Sequence, residues 1–218
     1  MKLEHLKTFN FEGAFRGMRN PMNSWDKGDS DFRGNRPTLG EKDLKLAQKL
    51  VRAGGEHRKF LRQIFISFDL TAPLYFWKEF DTYKIGTTAN STSTMHKLAS
   101  TPITEECFEL ENLELEINSK FNFYDYFEYI IIACEELRIK YNYTKDKRYW
   151  KALIQLLPES WLQTRTVTMN YENIYSIIRQ RSNHKLSEWN WLIEQFKQLP
   201  YAYELLYSNI ETENINED

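Results

Sequence analysis

The hydrophobic period changes twice between residues 40 and 84, and this constrains the fold more than any other feature of the chain. After Gly40, the residues Leu44, Leu46, Ala47, Leu50 and Val51 recur at helical spacing, and the pair Gly54-Gly55 supplies the left-handed cap that ends such a helix. Over residues 60–70 the period drops to two: Ile64, Ile66, Phe68 and Leu70 alternate with Phe65, Ser67 and Asp69, as in a strand. Pro73 then opens a second helix over 73–84, because its missing N–H would be unpaired at a first helical position anyway. That helix carries Leu74, Phe76, Trp77, Phe80 and Tyr83 on a broad apolar face.

The remaining segments follow from the same signals. Residues 17–40, broken by Gly17, Pro21, Gly28, Gly34, Pro37 and Gly40, read as a long loop. Its aromatics Trp25 and Phe32 and its arginines Arg19, Arg33 and Arg36 leave three readings open: a functional loop, a structural wrap or disorder. Residues 86–94 are small or hydroxylated and uncharged, which suits either a nest of phosphate donors or a solvated turn with side-chain-to-backbone bonds. Residues 104–117 are acidic connecting structure, and a long helix over 121–142 begins near Asn122. Further helices span 145–157, stopped by Pro158, then 171–181, then 184–198 before Pro200. Residues 164–169 alternate with β-branched side chains, as a short strand or an extended helix entry. The acidic tail 211–218 frays.

Composition excludes several classes. Aromatic residues are 15% of 218, too many for a disordered chain, and no apolar run approaches the roughly 20 residues that span a bilayer. With 29 Lys+Arg against 31 Asp+Glu there is no global basic field for duplex nucleic acid, so an anionic ligand must meet a local pocket. Cys107 and Cys134 are too few for a disulfide framework or a zinc cluster and read as reduced thiols. The histidines His5, His57, His96 and His184 are too far apart in sequence for a local metal site. The opening residues lack an apolar signal region, which leads to the expectation of a cytoplasmic protein. Phosphate-loop, zinc-helix and nucleophile-elbow signatures are missing from the sequence.

Four separated segments nevertheless share a character: Gly17–Pro21, Gly55–Arg58, residues 83–96 and residues 164–181 each combine cationic or amide groups with a turn or a helix start. Anion pockets are assembled in this way, and Trp25, Tyr75, Trp77 and Tyr83 are available to stack on a planar ring. The residues alone therefore describe a binder of a planar anionic ligand such as a nucleotide.

The order and spacing of these segments resemble the flavin-dependent thymidylate synthases, the ThyX family, over about residues 15–205. Met18-Arg19-Asn20-Pro21 sits where that family has its first arginine segment, and Gly55-Glu56-His57-Arg58 where it has a His-containing turn. The strand, the Pro73 helix and Asn90-Ser91-Thr92-Ser93 follow in the place of the family motif RHRxxSxNExSxRY. Leu157-Pro158, Thr168, Asn170, Gln180-Arg181 and Pro200 match its C-terminal pattern. The family's RHR triplet is replaced here by Thr82-Tyr83-Lys84 or Tyr83-Lys84-Ile85, its motif Glu by Ser91, and its last Arg-Tyr by Met95-His96.

The resemblance implies one α+β domain over residues 1–210, with helices packed on a mainly antiparallel sheet, and a homotetramer whose sites are shared between subunits. The retained pieces Arg19, His57, Asn90, Ser93, Asn170 and Arg181, the cation Lys84, and Thr88 and Ser91 of the hydroxyl-rich turn make the expected ligand set, with no metal. An aromatic face at Phe121, Phe123, Tyr124, Phe127 and Tyr129 is wide enough to pack on a neighbour, though one core could also absorb it. Three functions are then in play. The first is nucleotide binding with altered or lost flavin chemistry. The second is FAD-dependent methylation of dUMP, and the third is non-catalytic sequestration of a signalling nucleotide.

Overall fold

The computed structural model describes residues 1–34, 36–118, 120–208 and 210; the acidic tail at 211–218 lies outside the described residues. Helices and sheet are mixed in an α+β fold. A strand β1 (Lys2–Phe9) and a helix α1 (Phe11–Arg19) open the chain. Helix α2 (Glu41–Arg52) follows the loop, strand β2 spans Phe65–Pro73 and helix α3 spans Leu74–Phe80. Next come β3 (Thr88–Ser91), α4 (Thr94–Lys97), and the antiparallel pair β4 (Glu116–Asn118) and β5 (Phe121–Asn122). The long helix α5 (Phe123–Thr144), α6 (Lys147–Leu156), β6 (Leu162–Asn170), α7 (Tyr171–Arg181) and α8 (Ser187–Phe196) complete the order. The main sheet runs β1-β2-β6-β3.

Several expected boundaries move, each for a local reason. The segment 60–70 begins as a 3₁₀ turn (Arg58–Gln63), because Phe60 and Leu61 are both buried, and successive buried residues do not fit strand alternation. Pro73 is the last strand residue and the N-cap of α3, in extended backbone, rather than its first helical position. The hydroxyl-rich segment expected as a loop contains strand β3, and the Ser93 side chain accepts the His96 N–H to start α4. Phe11, Ala14, Phe15 and Met18 form the buried stripe of α1, so residues 17–19 belong to a helix rather than to the long loop.

By compactness the described residues fall into two units, and β2 and β6 each contribute residues to both. The first unit holds Leu70–Thr82 and Asn90–Arg165 with the first two residues. Its core is Leu98, Ile103, Phe108, Phe127, Ile131, Cys134 and Leu153, gathered where α5 packs on α6. Burial pushes the Cys134 thiol up to about 11, so it stays protonated and behaves as a small apolar side chain. Phe127 faces this core and Phe123 packs against it, whereas Phe121 and Tyr129 of the same aromatic set are exposed.

The second unit holds Leu3–Asp69, Tyr83–Ala89 and the described residues from Thr166 onward. Phe11, Phe15, Phe60 and Tyr171 meet in its core, with Phe68 edge-on to Phe196. Tyr171 is fully buried; its hydroxyl donates to the Pro200 carbonyl at 2.7 Å and its N–H to Ile64 O at 3.0 Å, which fixes the start of α7. Among the described residues no helix is long and apolar enough to cross a membrane, and no group of three or more His, Cys, Asp or Glu is placed to hold a metal ion.

Candidate functional site

Helix α7 organises the site because both of its ends meet the segment 83–86 within the second unit. At its N-terminus Asn170 is the cap. Its Oδ1 accepts the Asn173 N–H at 3.0 Å and its own N–H donates to Asn173 Oδ1 at 3.2 Å, a reciprocal capping box. Asn173 Nδ2 then donates to the Ile85 carbonyl at 2.8 Å. The next residue, Gly86, has φ +76, and a Cβ there would lie 2.6 Å from Asn170 Nδ2. Only glycine satisfies both the left-handed backbone and the contact.

A cleft of about 610 Å³ opens at this point, lined by Arg62, Phe65, Gly86, Asn170, Glu172 and Ser176 among others. Glu172 gathers two arginines across it: Arg58 Nε donates to its Oε1 at 3.4 Å, and Arg62 Nε donates to its Oε2. The Glu172 carboxylate holds the Arg62 guanidinium above its ordinary pKa. The Arg58 guanidinium also lies over the Tyr175 ring, 4.4 Å from its centroid. A second cleft of about 400 Å³ continues past Arg58, Tyr175, Ser176, Arg179 and Gln180. The exposed side of α7 thus carries two clefts, lined by Arg58, Arg62, Arg179 and the Glu172 carboxylate beside the apolar Phe65 and Ile85.

At the other end of α7, Arg181 Nε donates to the Tyr83 hydroxyl at 3.1 Å, and that hydroxyl donates to Gln180 Oε1 at 3.0 Å. The Arg181 guanidinium lies 5.0 Å from the centroid of the buried Trp189 ring. Tyr83 stands edge-on to the same indole at 5.8 Å. A planar cation held against two aromatic rings suits an anion or a carbonyl on a base.

The sequence-predicted residues divide by place. Asn170 lines the cleft, Arg181 closes the far end of the helix, and Lys84 is an exposed side chain on the segment joining them. Thr88 is exposed at the start of β3, and His57 is the exposed residue before the 3₁₀ turn that carries Arg58. Arg19 is elsewhere in the same unit: its side chain is 7% exposed, and its Nε donates to Asp43 Oδ1 at 2.7 Å. Asn90, Ser91 and Ser93 belong to the first unit, where Asn90 and Ser91 are exposed on β3 and Ser93 serves as a cap.

Sequence reasoning passed over Gly86, Arg62, Glu172, Asn173 and Tyr175, and chose His57 over its neighbour Arg58. One signal was present: Arg58 and Arg62 stand four apart in the sequence, a spacing at which two cations can meet one partner.

No protein-family model and no curated protein matches the chain. Solved structures do match. The chain is similar to two structures of the flavin-dependent thymidylate synthase ThyX from Helicobacter pylori, both with FAD and dUMP. One is 18% identical with a TM-score of 0.67, covering 94% of this chain and 98% of that one. The other is 17% identical with a TM-score of 0.71, covering 96% and 99%. The resemblance carried by the order of segments in the sequence is therefore one of fold, and the chain has a divergent ThyX-like fold.

Proposed function

We propose that this protein binds a nucleotide on its ThyX-like fold and that its flavin chemistry is altered or lost. The observation that carries the reading is the extent of the likeness: 94–96% of the chain follows structures that hold dUMP and FAD. The arginine-lined clefts along α7 support it, with Asn170 and Arg181 as contacts to the ligand and Lys84 as a cation on the segment beside them. Thr88 supplies a hydroxyl in the same unit, and His57 borders the arginine turn. Arg19 serves the framework through Asp43. In this reading the protein assembles as a homotetramer, as the family resemblance implies.

The donor set argues against FAD as the resident cofactor. A dinucleotide diphosphate needs several charge-assisted donors. Where the family has two arginines and a histidine, this chain offers the single cation Lys84, and the Arg58 and Arg62 donors already serve the Glu172 carboxylate. Calorimetry of the whole protein against mono-, di- and cyclic nucleotides tests the reading, beginning with dUMP. Saturable binding of one class with little flavin absorbance in a fresh preparation is the expected result. No nucleotide binding would overturn it, and stoichiometric bound flavin would restore the methylation of dUMP as the function.

A further inference from the structure

The first turn of α7 has the makings of an anion site, and the chain fills it with a carboxylate of its own. Two arginines of the 3₁₀ turn Arg58–Gln63 converge there, and the positive end of the helix dipole favours a negative charge at the same place. Glu172 is the second residue of α7, and its side chain is 15% exposed. Its Oε1 accepts from Arg58 Nε and from Arg62 Nη2, each at 3.4 Å, and its Oε2 accepts from Arg62 Nε. The Arg58 side chain is 16% exposed and lies over the Tyr175 ring, which holds its guanidinium in place.

The charges at this turn leave little room for a second anion. In the cleft of about 610 Å³, Arg62 and Glu172 are the charged lining residues, and they cancel. Glu56 adds a further negative charge that acts on Arg62. Arg58 and Arg179 line the neighbouring cleft, and Ser176, one turn on from Glu172, lines both. An incoming phosphate meets the Glu172 charge at close range, and like charges disfavour each other. It also competes with a group carried by the chain itself, whose effective concentration is on the order of millimolar or above.

We propose that Glu172 is a specificity residue, a chain-borne anion that fills the Arg58–Arg62 pair and excludes a diphosphate from it. The protein is thereby restricted to ligands with one phosphoryl group. Arg181, about 14 Å along the helix at 1.5 Å per residue, is left to meet that group. Amide and hydroxyl groups of Asn170 and Ser176 line the cleft beside Glu172 and suit the uncharged part of such a ligand. The step from phosphate number to a nucleoside monophosphate rests on the nucleotide reading; the latent anion site under Glu172 does not.

Calorimetry on the full chain tests both parts, with pyrophosphate, dUMP and dUDP as probes. Pyrophosphate should bind about tenfold or more tightly to Glu172→Gln than to the parent, as expected when charge-assisted donors are released, and adding Arg62→Ala should remove the gain. Glutamine keeps the size of the side chain and removes its charge, and the melting temperature shows that each variant is folded. The second arm uses the parent alone, which should bind dUMP about tenfold or more tightly than dUDP. An unchanged pyrophosphate affinity in folded Glu172→Gln, or dUDP bound by the parent as tightly as dUMP, would each overturn the proposal. A pyrophosphate gain without binding of either nucleotide would overturn the nucleotide reading and leave Glu172 in its role.

Discussion

Arg19 and Arg181 each end a helix, and their surroundings give them different tasks. Arg19 is enclosed with Asp43, whose other oxygen accepts the backbone N–H groups of Asp29 and Ser30 and the Ser30 hydroxyl at 2.7 Å. Removing one partner of a buried pair leaves an uncompensated charge, so Asp43→Ala should cost about 3–5 kcal/mol, measured by urea unfolding. Arg181 is held against aromatic rings. Arg181→Ala should lose about 1.5–3 kcal/mol of nucleotide affinity by calorimetry, the range for a hydrogen bond to a charged group. Its cost in stability should stay near about 1 kcal/mol, as for a cation lying over an aromatic face. From sequence these arginines look alike, since each sits beside an amide residue at a helix end. Asp43, which decides the role of Arg19, is 24 residues away and appears only as an ordinary acid on a helix. Asn170 was reached through the order of segments it shares with the family, and the structure makes it the cap of α7. Glu172 with Arg58 and Arg62 was not, because that cluster closes over more than a hundred residues of chain.

Among the elements, the helices were the legible part. The starts of α5 and α7 lie at Asn122 and Asn170, and both carry reciprocal caps. Asn122→Ala should cost about 0.5–2 kcal/mol, measured by thermal unfolding, with Asn122→Asp close to the parent. Strands were read less well, because β1 carries Lys2, Glu4 and Lys7 among its few apolar residues, and β3 is exposed along its length. Burial, the signal that alternation reports, is weak in both. The 20–40 segment is ordered by a device no periodicity reveals: the Asp29 carboxylate accepts the N–H groups of Lys42 and Asp43 at 2.9 and 3.0 Å and so caps α2 from a distance. The Lys42 N–H is the first cause that holds the Asp29 carboxyl below its usual 3.8. The unfolded chain therefore binds the proton more readily. The contribution is full above pH 3.8 and is lost as pH falls through the lower folded value. Amide protection factors at residues 20–34 should fall in that acid window in the parent and already near neutrality in Asp29→Ala. Equal protection in the two proteins at neutral pH would remove Asp29 from this role.

For the whole molecule, the fold was legible where the detailed chemistry was not. Segment order and helix starts are enough to specify a fold, because they depend on burial pattern and capping, which many side chains satisfy. A ligand's identity depends on a few donors, and the substitutions at residues 82–96 fall on those. Purified protein should therefore carry little FAD, as read from its visible absorbance, while still binding a nucleotide. A last consequence lies in descent. The side chain of Asn170 occupies the space that any Cβ at position 86 would need. The left-handed backbone at 86 disfavours a side chain whatever stands at 170, and Asn170 fits only where position 86 has none. The dependence runs one way: homologues of this chain that carry Asn170 should carry Gly86, while Gly86 can outlast the asparagine in descent.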